Sequence, residues 1–285
     1  MYSDPAAVGR AGGLRCRSFS VDSILLIRGD GVVAASDRVA GTMRSLERAL
    51  EVLEVLELTR KPLRLSEVAR RANLHVATTQ RILAVLHRHR YVDQDGAGYT
   101  MGVMPLANAH AYLVSNTLAN GAMPILQELA QTSGLTSAMS VRIGFYHVLV
   151  ARVDGANPLR YQPPVGERMP LHVGAGRVFA ASLASTELDD LLERVGEIRL
   201  ATGQVLTREE FLERIRVIRQ QGYALGYSER VPNASSIGSP VFNRNGELIA
   251  AVQLSGLAED LEPAQLECYV TEVRQAAAAI TGRIG

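Results

Sequence analysis

Between residues 44 and 58 apolar side chains recur at helical spacing: Leu46, Ala49, Leu50, Leu53 and Leu56, with Val52 and Val55 at the margin. Glu47, Arg48, Glu51, Glu54 and Glu57 fall opposite, and Lys61-Pro62 ends the run. Leu65-Ser66-Glu67-Val68-Ala69-Arg70-Arg71-Ala72 predicts a second, short helix capped by Ser66, with Val68, Ala69 and Ala72 facing inward. Asn73-Leu74 reads as a turn, because Asn tolerates the left-handed conformation. A third helix over 76–90 places Ile82, Val85, Leu86 and His89 on one face, with Leu83 beside them. Tyr91-Val92, a polar Gly-bearing stretch, and Tyr99-Thr100-Met101 then read as a hairpin. Three helices followed by a hairpin, with a short turn between the second and third, is the order of a winged helix-turn-helix.

Helices are predicted next over 104–116 and 119–132, the latter with Pro124 near its start and Gly134 after its end. Beyond 134 the texture changes. Apolar and β-branched runs at 136–141, 146–153, 159–162, 223–227, 235–242 and 248–254 alternate with turn signals, among them Asn243-Arg244-Asn245-Gly246. Helical patterns intervene over 174–184, 187–194, 207–221 and 263–282. The whole is an α+β chain whose second part is built on an antiparallel sheet. The expected division is a disordered or mis-assigned arm at 1–41, a winged helix-turn-helix at 42–103, a linker helix at 104–118 and a second, sheet-based domain at 119–285.

Charge sharpens this picture. Over 60–103 eight basic residues (Arg60, Lys61, Arg64, Arg70, Arg71, Arg81, Arg88, Arg90) face three acidic ones, while the whole chain carries only +1. One basic block on an otherwise slightly acidic chain fits a nucleic-acid module, or a solvated face of ordinary helices. The 285 residues contain no Trp and only two cysteines, Cys16 and Cys268, too few and too far apart for a metal cluster and compatible with a reducing cytoplasm. No apolar run is long enough to span a bilayer. No G-x-S-x-G elbow occurs, and the six histidines show no H-E-x-x-H spacing, so no hydrolase signature supports an enzyme.

An ordered series of short motifs resembles the IclR-type transcriptional regulators over about residues 43–283. It runs through Arg44-Ser45-Leu46-Glu47-Arg48-Ala49-Leu50, Leu65-Ser66-Glu67-Val68-Ala69, Thr78 with Arg81-Ile82-Leu83, and Tyr91-Val92 with Tyr99-Thr100-Met101-Gly102. It continues through Gly166-Glu167-Arg168-Met169-Pro170-Leu171-His172, Gly174-Ala175-Gly176-Arg177, Gln220-Gln221-Gly222-Tyr223-Ala224 and Ser236-Ile237-Gly238-Ser239-Pro240-Val241. The resemblance implies that 119–285 is a GAF-like effector-binding and oligomerisation domain, with a homodimer or homotetramer on a pseudopalindromic operator in double-stranded DNA, and a small organic metabolite, a carboxylate or aromatic acid, as effector. It implies no cofactor, no membrane and no catalysis. The chain departs from the family pattern with Arg177 for a usual Lys, Gly226 for a polar or acidic residue, and Ser236 for a frequent Cys.

His75, Thr78, Gln80 and Arg81, with Val76 and Ala77 between them, are the candidates for groove contacts. Arg pairs with guanine and Gln with adenine through two hydrogen bonds, although Arg81 could equally bind phosphate. Ser66, Arg70, Arg71 and Arg88 are candidates on the flanking backbone. For the effector, Gly174 and Ala175 read as a helix N-terminus whose free N–H groups favour an anion, or as a tight turn packed on the sheet. Gln253 and Ser255 share a strand face by period-two alternation and join Ser236 as polar pocket groups, or face solvent. Leu159, Tyr161 and Met169 form an apolar wall, or core. The function read from all this is a DNA-binding transcriptional regulator, repressor or activator, controlled by a metabolite. An architectural DNA-binding protein without an effector, or a small-molecule enzyme, is the alternative.

Overall fold

The computed structural model describes residues 43–156, 163–260 and 263–284. The expected N-terminal arm at 1–41 lies outside them. Helices α1 (Arg44–Thr59), α2 (Leu65–Arg71) and α3 (Val76–Arg88) lead into a hairpin of β1 (Val92–Asp95) and β2 (Gly98–Met101). Their common core is Val52, Leu56, Leu63, Val68, Leu83 and Val92. The buried stripe of α1 is narrower than its apolar face: Val52 and Leu56 are buried, while Leu46 and Leu50 are 54% and 57% exposed. In α3 the buried pair is Thr79 and Leu83, and Val85, expected inside, points out. A short helix touching two neighbours covers only one stripe of itself, so counting apolar residues overstates its buried width. Thr79 can lie inside because its hydroxyl donates to the His75 carbonyl at 3.1 Å.

Helix α2 begins two residues earlier than the reading of Ser66 as its cap requires. Arg64 takes the cap position, and the Glu67 carboxylate accepts its N–H at 3.2 Å. Asn73 has φ of 52°, the left-handed conformation expected of the turn. Helix α4 (Met104–Ser115) is followed by α5 (Thr117–Ser133), where the Asn116 side chain accepts the Ala119 N–H at 2.8 Å. Because this cap starts α5 at Thr117, Pro124 falls inside the helix and not near its start.

The second half is a six-stranded sheet in the order β5-β4-β3-β10-β9-β8, every neighbour antiparallel. Its strands are β3 (Thr136–Ile143), β4 (Tyr146–Val153), β5 (Arg168–Pro170), β8 (Ala224–Tyr227), β9 (Ala234–Phe242) and β10 (Leu248–Leu257). A two-stranded ribbon, β6 (Ile198–Arg199) with β7 (Val205–Leu206), stands apart from it. One face of the sheet is covered by α5 and α9 (Pro263–Ile284), with Leu126, Val273 and Ile280 deepest in the core. On the other face lie a single 3₁₀ turn at Gly174–Gly176, then α6 (Arg177–Ser182), α7 (Ser185–Val195) and α8 (Arg208–Gln221), packed around Phe179 and Phe211.

Strand β10 shows how alternation builds the site. Ala250, Val252 and Leu254 enter the α5–α9 core, and Ala251 enters the opposite core. Gln253 and Ser255 continue the Ala251 face and line a cavity. The N-terminal helices reach this half through β5. Arg168 donates to Glu54 at 2.5 Å and to Glu57 at 2.9 Å, both on α1, and Arg60 pairs with Glu167 at 3.3 Å. Among the described residues no helix is long and apolar enough to cross a membrane.

Candidate functional site

The first two turns of α3 are open. His75, Ala77, Gln80 and Arg81 are exposed, Val76 is 49% exposed, and Thr78 is half-buried. The buried Thr79 and Leu83 anchor the opposite side of the helix on α1 and α2, so the open turns project from a rigid support. Arg81 Nε donates to the Ala77 carbonyl at 3.3 Å, which lays the side chain along the helix. Ser66 and Arg70 are exposed on α2 and Arg88 at the end of α3, and Arg71 is tied to Thr59 of α1 at 2.7 Å. The structure thus gathers the ten candidates on the α2–α3 unit, with its hairpin tip, Gln94 to Ala97, also exposed.

The second candidate group converges on a cavity of about 70 Å³. Met169, Gly174, Ala175, Ser236, Gln253 and Ser255 all line it. Leu159 and Tyr161 lie outside the described residues. Four further lining residues had no signal in the sequence: His147, Glu229, Arg230 and Ser235. His147 comes from β4 and is buried, as is Ser235; among the described residues neither the His147 Nδ1 nor the Ser235 hydroxyl has a partner. Burial, and secondarily the charge of Arg230, pushes the His147 pKa down to about 4, so its ring is neutral near pH 7 and offers one donor and one acceptor.

Gly174, with φ of 58°, starts the 3₁₀ turn in a conformation that favours glycine. A Cβ on Gly176 would meet the Pro170 carbonyl at 2.6 Å, so this turn is also pressed close to the sheet. Its leading N–H faces a carboxylate of the protein itself. Gly174 donates to Glu229 Oε2 at 2.7 Å. Arg177 and Arg214 reach Glu229 Oε1 at 2.8 and 2.9 Å, and Arg177 also donates to the Leu225 carbonyl. Arg177 and Glu229 side chains are 4% and 5% exposed. Desolvation pulls the Arg177 pKa below its ordinary value, opposed by the Glu229 charge. Such a cluster stands because every charge has a partner; removing one leaves another buried and uncompensated, at a cost of about 3–5 kcal/mol. Glu229 sits on the β8–β9 loop, where a charged residue reads as solvated, and only the closed fold brings it to Gly174.

Both halves match known families. The model of the IclR helix-turn-helix domain matches residues 45–96, and that of the bacterial transcriptional regulator IclR C-terminal domain matches residues 110–282. The HTH-type transcriptional regulator XynR of Escherichia coli is 27% identical over 246 residues, covering 85% of this chain and 98% of that one. The crystal structure of an IclR family transcriptional regulator from Brucella abortus superimposes with a TM-score of 0.73 at 22% identity, covering 92% of this chain and 99% of that one. That of an IclR homologue from Microbacterium hydrocarbonoxydans, complexed with 4-hydroxybenzoate, does so with a TM-score of 0.65 at 20% identity, covering 84% and 98%. A helix-turn-helix with an open third helix, joined to a cavity-bearing domain and matched in both parts, makes the chain a member of the IclR family of transcriptional regulators.

Proposed function

We propose that this regulator works in the cytoplasm as a homodimer or homotetramer on a pseudopalindromic operator, reading bases with the open turns of α3 and releasing or gripping DNA according to what fills the cavity. The division proposed for these tasks is 42–103 for DNA, 104–118 as linker and 119–285 for effector binding and assembly. The observation that carries the reading is the exposure of Val76, Ala77, Gln80 and Arg81 on a helix whose other side is locked into the core. Arg81 and Gln80 are assigned to base edges, with Thr78 on a phosphate or a thymine methyl. His75, Val76 and Ala77 complete the groove contact, and Ser66, Arg70, Arg71 and Arg88 lie along the phosphates.

The 4-hydroxybenzoate complex of the Microbacterium homologue supports a small organic molecule, a carboxylate or aromatic acid among them, as the general effector type for such a domain. For this chain the effector is assigned to the cavity between β9, β10 and the Gly174 turn, with Met169 as apolar wall and Ser236, Gln253 and Ser255 as polar contacts.

Fluorescence anisotropy with labelled DNA from the gene's own upstream region, at two salt concentrations and with competitor DNA, tests the reading. Arg81→Ala is expected to weaken specific binding by roughly 1–3 kcal/mol, about fivefold to a hundredfold, if it reads a base. If it holds a phosphate, it will flatten the salt dependence and leave discrimination unchanged. Failure to enrich any sequence from random DNA would overturn the assignment of α3.

A further inference from the structure

The cavity contains one position built for an anion, and the protein fills it. The Glu229 carboxylate has Oε2 on the Gly174 N–H and Oε1 on Arg177 and Arg214. It lies against the bare backbone of Gly226, where an added Cβ would come within 3.1 Å of both Glu229 Oε2 and the Ser236 hydroxyl. A free carboxylate making the same contacts would have to displace a tethered one. A tethered group acts at an effective concentration of millimolar for a flexible link and far more for a well-oriented one. A small monocarboxylic acid at ordinary metabolite levels loses that competition.

Apart from Arg230, whose charge acts on His147, the hydrogen-bonding groups elsewhere in the lining are uncharged. The His147 Nδ1 is buried with no partner among the described residues, and the Ser236 hydroxyl and the Gln253 amide, the latter 7% exposed, line the same space. Groups that both donate and accept are matched by hydroxyls, which do the same. The volume of about 70 Å³ corresponds to roughly five water positions at ~10–15 Å³ each, which suits a compact ligand end.

We propose that Glu229 is a built-in occupant of the anion position, and that the cavity selects a small polyol-like molecule whose hydroxyls meet His147, Ser236 and Gln253. This rests on the reading of the cavity as the effector site. It assigns Glu229 as a specificity-determining residue that bars carboxylates from Gly174.

Replacing Glu229 with Ala empties the anion position. In thermal melts at equal ionic strength, E229A is expected to be several degrees less stable than the parent in chloride and to regain most of that loss, saturably, in sodium acetate. The parent is expected to melt alike in both salts. Equal stabilisation of parent and variant by acetate would overturn the proposal. If E229A does not fold, the parent's Gly174 amide resonance decides. It is expected to stay fixed up to 50 mM acetate, and a saturable shift overturns the claim. Glycerol tests the other half: saturable shifts of the Gln253 side-chain amide and the His147 ring are expected below 0.5 M, and none at that concentration overturns it. These readouts need no DNA. A chain that bound no operator would sink the regulator reading and leave them standing, whereas acetate seated on Gly174 and releasing operator would do the reverse.

Discussion

His147 is the residue in which burial and function meet most directly. It is held neutral inside the sheet, with its pKa lowered to about 4 first by desolvation and then by Arg230. In the unfolded chain the ring titrates near ~6.5. A base whose folded pKa lies below its unfolded one leaves the native state poorer in protons than the unfolded state between those values. Stability is therefore complete above about pH 6.5 and falls as pH drops towards 4, by up to about 3 kcal/mol for this ring alone. His172, also lowered by burial, adds in the same direction. The melting temperature is expected to fall steeply between pH 6.5 and 4.5, and His147→Gln should shallow that fall while leaving the share of His172. An unchanged slope in the variant would show that the ring is not the buried base. Neither His147 nor Glu229 could be picked out along the chain. A single histidine in an apolar strand and a single glutamate in a loop have no periodic neighbours to mark them, and their roles arise from contacts across 29 and 55 residues, to Gly176 and Gly174.

Among the elements, β5 has the most to do for its size. It is three residues long and was not foreseen, since Arg168-Met169-Pro170 offers no alternation to detect and gains its strand character only by pairing with β4. The long strands and helices were legible because each repeats its period several times; Gln253 and Ser255 were placed on one face for that reason. Within β5 successive side chains point to opposite faces. Met169 lines the cavity, and Arg168 turns towards α1 to hold Glu54 and Glu57. On the proposed reading of the cavity, a ligand that displaced Met169 would act through Arg168 on α1, beside the DNA-contact unit. Arg168 has 18% of its side chain exposed and grips two carboxylates, more than an ordinary surface pair. Arg168→Ala is expected to leave operator affinity without effector within a few-fold and to reduce the effector's influence on it by about fivefold or more. Anisotropy titrations with and without effector measure both. An unchanged effector response would place the coupling elsewhere.

At the scale of the molecule, the described chain leaves one helix without a core. None of the residues of α4 is buried, and Leu106 and Val114 are 70% and 64% exposed, with Val103 at 61% just before the helix. At spacings of three and eight, Val103, Leu106 and Val114 fall on one side of the helix. On the proposed assembly, a helix this apolar and this bare, between the DNA-contact unit and the cavity domain, would pair with its own copy. Two-fold pairing would set two α3 helices at the fixed separation that a pseudopalindrome demands. Two half-sites bound by one linked pair gain affinity through effective concentration, without new contacts to DNA. The double variant Leu106→Glu/Val114→Glu should thus reduce the sedimentation mass towards a single chain. It should weaken binding to a full operator by about a hundredfold, while leaving the much weaker affinity for an isolated half-site within a few-fold. Retention of the parent's mass by that variant would move the assembly interface off α4. Loss of half-site binding as well would mean that the helix supports the fold of the DNA-contact unit and not its pairing.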